Sequence, residues 1–158
     1  MPAWIFQASP KQFDVNEHLR RPSPRSWLVR PEHFGVRMQR GDRAFIWRSD
    51  GGKSGTGGVI AVGQLTGPPE MRAMDPTDFD LRRSEASKAL RARDEALRVR
   101  IDIEQFRLGK TDGMLLRSWL REQPKLSGLW ILRCAARTTY PLSEVEEAEL
   151  LNAWSRRG

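Results

Sequence analysis

The residues that first suggest chemistry are Gly52-Lys53-Ser54, inside the glycine-rich stretch SDGGKSGTGG at 49–58. Such a triplet can cradle phosphate, but a P-loop also needs a glycine five positions before the glycine that precedes the lysine. Trp47 holds that place. A P-loop also opens a helix, so that phosphate meets the helix N-terminus. Here GVIAVGQL follows, which is β-branched and strand-like. GTGGVI fails as a dinucleotide fingerprint because Ile60 stands in the third glycine position. The stretch therefore reads as a mobile hairpin connection whose glycines supply positive φ.

Other catalytic groupings are sparse. The two histidines, His18 and His33, have no metal-ligand spacing, and Cys134 is the one cysteine. A cysteine zinc cluster and an intrachain disulfide are excluded. Cys134 lies in LWILRCAAR and reads as a core or strand residue. Two acidic groups, Asp75/Asp78/Asp80 and Glu144/Glu146/Glu147, read as solvated surface, the second at a helix N-terminus where glutamate is expected. No catalytic residue, metal or cofactor is expected.

Tryptophan is abundant, with six in 158 residues. Trp119 and Trp154 fall on helical stripes and read as core. Trp27 follows a Pro/Ser/Arg-rich approach, and Trp47 borders the glycine loop. An aromatic ring at a strand end beside a loop and basic residues can stack an unpaired base, and two such rings can cage a methyl group. The formal net charge is +7, from 27 Lys and Arg against 20 Asp and Glu. That balance favours polyanions. No apolar run approaches membrane-spanning length, and no secretory signal is seen at the N-terminus. Together with the single cysteine, this gives a cytoplasmic expectation.

The elements that must position these residues follow from periodicity. AWIFQAS predicts a strand, then a short helix capped by Ser9-Pro10. SWLVRP predicts a second strand, and EHFGVRMQRGD a loop or short helix. RAFIWRS and GGVIAVGQL predict a hairpin, with Phe45 and Trp47 on one face and Ala44 and Ile46 on the other. Residues 70–94 read as an exposed connection with some helix. ALRVRIDIEQF alternates, placing Leu97, Val99, Ile101 and Ile103 inside and Arg98 and Arg100 in water. GMLLRSWLREQP predicts a helix and LWILRCAA a last strand. The chain ends in a helix capped by Ser143 and Glu146. Length and pattern give one domain, 1–158, of α+β class: a curved sheet or small barrel with short helices packed on it.

The ordered set WIFQASPKQFDV, SWLVRP, GDRAFIWRSDGGKSGTGGVIAVGQLTGPPE and TTYPLSEVEEAELL resembles the EVE domain, a PUA-like relative of the YTH domain. Residues 71–94 look like a variable insertion. The resemblance implies a barrel of five to six strands surrounded by helices, with an end pocket that reads a modified base in DNA or RNA. On the YTH pattern Trp27 falls on the first cage tryptophan, Ser9 near the serine after the first strand, and Trp47-Arg48-Ser49 near the pocket-lining segment. For the second cage ring Trp130 is a candidate and Trp119 an alternative. Backbone groups near Ser49 and Gly58 would bond the base edge. Arg25, Arg30, Arg48 and Lys53 would hold flanking phosphates. The leading expectation is a non-catalytic reader. The alternatives are a small-molecule or protein-binding module and a nucleic-acid-processing enzyme.

Overall fold

The computed structural model describes residues 2–30, 37–82 and 95–157. A single curled sheet holds β1 (Ala3–Ala8), β2 (Arg25–Leu28), β3 (Arg43–Arg48), β4 (Gly58–Leu65), β5 (Glu70–Arg72), β6 (Ala96–Phe106), β7 (Leu115–Leu116) and β8 (Thr139–Leu142). The strand order is β2-β6-β4-β3-β1-β8, with β5 pairing β6 and β7 pairing β4. β1 and β3 run parallel, from Ala3 beside Arg43 to Ala8 beside Arg48. The other pairs are antiparallel. Among the described residues four α-helices surround the sheet: α1 (Val15–Arg20), α2 (Arg117–Glu122), α3 (Trp130–Arg133) and α4 (Glu144–Arg156). The expected α+β, PUA-like architecture is what forms. Among the described residues no helix is long and apolar enough to cross a membrane.

The central strands are covered on both faces, so they are apolar throughout rather than alternating. Trp4, Phe6, Ala44, Ile46, Val99 and Ile101 share an inner core with Trp27 and with Val15 and Leu19 of α1. Ile5, Phe45, Trp47 and Val59 share an outer core with Leu120, Ile131, Leu150 and Trp154 from the three C-terminal helices. A bulge at Ile46/Trp47 lets Ile60 and Ala61 both join the inner core while Val59 and Val62 stay outside.

Several local expectations change. The first helix starts at Val15 because Asp14 accepts from Glu17 N at 3.1 Å. Ser9 instead closes a turn, its carbonyl accepting from Gln12 N and Phe13 N at 3.0 Å. LWILRCAA is not a strand. Leu129 and Ile131 reach the outer core from one short helical turn, α3. An apolar run this short does not distinguish the two states. Cys134 is exposed. Leu115 and Leu116 pair with β4, so α2 begins only at Arg117. Arg98, expected in water, is buried, its Nε donating to Arg72 O at 3.2 Å. Of the 71–94 stretch, residues 83–94 lie outside the described residues, as does His33.

Candidate functional site

A cavity opens where the end of β1 meets edge strand β2. Its walls are Gln7, Ser9 and Phe13 on one side, Ser26 and Trp27 on another, and Met74, Asp75, Asp78 and Arg82 on a third, with Arg98 from β6. Its volume is about 130 Å³. That is roughly ten times the ~10–15 Å³ one water needs, so it is far larger than a packing void.

The third wall belongs to the stretch read as an exposed connection, and it is clamped to α1. Asp14 N donates to Leu81 O at 2.8 Å, and Phe13 forms a bridge with Arg82. Arg21 makes a two-pronged contact with Asp80 at 2.9 and 3.1 Å. The deepest tie is Asp78, expected on a solvated surface but only 4% exposed. Its Oδ1 accepts from Arg25, and His18 Nδ1 lies 3.4 Å from the same oxygen. His18 Nδ1 is also 3.2 Å from Arg25 NH2. A carboxylate this deep persists because a buried charge needs a partner, and Arg25 supplies it.

His18 is not part of the cavity lining. It stands behind it, edge-on to both Phe13 and Trp27, with ring centroids 4.9 Å apart in each case. Burial lowers its pKa from the ordinary 6.5, Asp78 opposes that shift, and Arg25 reinforces it. The ring is therefore neutral near pH 7. It can accept from Arg25 or donate to Asp78 through Nδ1 without adding charge. His18 thus braces the two aromatic walls and has no reach to a bound molecule. Among the described residues no group of three or more His, Cys, Asp or Glu side chains is placed to hold a metal ion.

The structure brings Trp27 and Ser9 together on this cavity and places other sequence-derived residues elsewhere. Trp47 is buried in the outer core. Trp130 packs there too, 6.0 Å from the Tyr140 ring with Arg137 stacked over it. Gly58 lies against β7, where a Cβ would come within 2.1 Å of Leu115 O at a φ of 148°. Ser49 N donates to Ala8 O, next to the cavity strand, without lining the cavity. Arg25 is engaged with Asp78. Arg48 is buried and donates to Thr56 O, Asn16 Oδ1 and Leu108 O at 2.8–3.3 Å. Arg30 and Lys53 are exposed. The glycine loop, expected to be mobile, is a bonded turn: Asp50 Oδ1 accepts from Gly57 N at 2.7 Å. Gly51 seats it on Pro10, where a Cβ would come within 2.9 Å.

Sequence reasoning missed Phe13, Gln7, Asp78 and Arg98. Phe13 carried a weak signal, an aromatic just after Ser9-Pro10. The others carried none: Gln7 and Arg98 lie on strands β1 and β6 and meet the cavity only through the curl of the sheet, and Asp78 reaches it only when the 74–82 segment folds back onto α1.

The EVE domain family model matches residues 2–153. No curated protein sequence matches at a significant level. Among solved structures, a protein from Leishmania major is 18% identical with a TM-score of 0.64, covering 99% of this chain and 96% of its own. A protein from Rhodopseudomonas palustris is 16% identical, TM-score 0.63, covering 100% and 96%. Human THYN1, solved in complex with 5-methylcytosine-containing DNA, is 14% identical, TM-score 0.62, covering 98% of both chains. At these identities the structures establish a shared fold. The family match spans almost the entire chain: it belongs to the EVE domain family.

Proposed function

We propose that this domain is a non-catalytic module that binds a modified base of DNA or RNA in the cavity beside Trp27. The observation that carries the reading is the lining itself. Two aromatic rings, Trp27 and Phe13, share a cavity with hydroxyl, amide, carboxylate and guanidinium groups. Aromatic surface supports base stacking, and a few polar groups read the base edge. Phe13, rather than Trp130, is the second aromatic. Arg30 and Lys53, both exposed, and Arg82 at the cavity supply cationic contacts for flanking phosphates. Arg25 and Arg48 hold the walls together instead. The THYN1 complex makes 5-methylcytosine in DNA the first ligand to try.

The experiment is binding of a fluorescein-labelled oligonucleotide carrying 5-methylcytosine, read by anisotropy, to the native chain and to Trp27→Ala. Base–aromatic stacking is worth ~1–3 kcal/mol, so the variant loses roughly five- to hundredfold in affinity with unchanged circular dichroism. Undiminished binding by a folded variant contradicts the reading. A second reading, a small-molecule binding module, draws on the two carboxylates, Asp75 and Asp78, in the lining. It predicts no oligonucleotide binding that depends on a base modification.

A further inference from the structure

The polar groups of the cavity differ in how firmly their hydrogen-bonding sense is set. Serine and threonine hydroxyls turn to suit a ligand. Gln7 does not. Its Nε2 donates to Ala135 O at 2.9 Å and Arg137 O at 3.4 Å. The amide is thereby oriented with Oε1 as an acceptor, and that oxygen is buried without a partner. Asp78 is fixed more strongly still. Oδ1 takes both Arg25 and His18, while Oδ2 has no bonding partner among the described residues. An ionised carboxylate only accepts. The two oriented groups therefore want N–H donors. The cavity's guanidinium groups have contacts already: Arg98 Nε bonds Arg72 O, and Arg82 lies 5.2 Å over the Phe13 ring.

Building on the base-binding reading above, we propose that the cavity selects a base with an exocyclic amino group, cytosine- or adenine-like, over its keto counterpart, with Asp78 as the specificity-determining acceptor. An amino group gives Oδ2 a donor. A keto oxygen at the same place sets acceptor against acceptor and leaves the buried carboxylate unsatisfied. Sites built around a hydrogen bond reject the ligand lacking it strongly.

The test compares 5-methylcytosine with thymine in one otherwise identical oligonucleotide. Both carry the 5-methyl group; they differ at position 4 and at the N3 proton. The native chain is expected to bind the 5-methylcytosine strand at least about tenfold more tightly. In Asp78→Asn one side-chain oxygen still serves Arg25, and the new NH2 faces the base. Its preference is expected to vanish or reverse. Equal binding of both strands by the native chain overturns the amino selectivity and leaves base binding standing. Binding of neither above a strand with an abasic site overturns the base-binding reading itself. A folded Asp78→Asn that keeps the preference removes Asp78 from the role. A strand with N4,N4-dimethyl-5-methylcytosine, which has no N–H left, tests the same contact without altering the protein. It is expected to bind at least about tenfold more weakly, and undiminished binding overturns the proposal.

Discussion

The outer face of the curled sheet is sealed by apolar contact, while the inner face shares its volume with charge and with a cavity. Outside, Leu120, Ile131, Leu150 and Trp154 close over Phe45 and Trp47. Arginines cap the rings there: Arg107 lies 4.1 Å over Trp154, Arg137 4.5 Å over Trp130 and Arg157 4.3 Å over Trp119. Inside, His18 touches Trp27, Arg48 donates to Met114 Sδ, and Asp42 accepts from Trp4 Nε1. The same residue type has different work on the two faces. A capped tryptophan completes a core, whereas Trp27 walls a cavity and is braced from behind. Tryptophan count alone does not locate a site; a neighbouring void with oriented polar groups does.

The contrast can be broken most severely on the inner face. Asp78→Ala removes the carboxylate that neutralises buried Arg25. Breaking such a pair costs ~3–5 kcal/mol, so urea unfolding is expected to shift to much lower denaturant, with ligand binding lost as well. Leu150→Ala, fully buried outside, is expected to cost ~2–5 kcal/mol in the same assay. At temperatures where that variant remains folded, its base selectivity stays native. If Leu150→Ala altered selectivity, the two faces would not be independent.

Acidification acts on the inner face through His18. His18 has a folded pKa below its unfolded value, so the unfolded chain takes the proton first. The stability owed to neutral His18 is present above pH 6.5 and is lost as pH falls below it, by at most about 1.4 kcal/mol per pH unit. Urea midpoints measured at pH 7.5 and 5.5 should differ less in His18→Gln than in the native chain. The smallest effect belongs to the outer face. Ser143 and Glu146 form a reciprocal capping box at 2.9 and 3.1 Å. Ser143→Ala is expected to cost about 1 kcal/mol in thermal unfolding and to leave binding untouched.

Strands β1 to β4, β6 and the final helix were legible in the sequence because their signals are local, such as the alternation in β6, the β3–β4 hairpin and the Ser143 cap, whereas the short strands β5, β7 and β8 were not. Trp27 and Ser9 were legible through the ordered resemblance. The third wall of the cavity was not. Asp78 reads as one of three acidic residues in a polar stretch until tertiary contacts carry it to Arg25. Trp47 misled for the converse reason. Its place beside a glycine loop suggested access, but strand β3 is central, and both of its faces are covered. Arg25 and Arg48 looked like phosphate ligands because sequence gives charge without burial.

Titration with matched oligonucleotides at two salt concentrations separates base recognition from phosphate attraction. Intrinsic tryptophan fluorescence would be followed with cytosine and 5-methylcytosine strands, single and duplex. A base-reading cavity gives saturable quenching that is tighter for one modified strand, with the preference kept when salt is raised. Binding that ignores the modification and fades with salt would be phosphate attraction alone, and it would contradict a base-reading cavity.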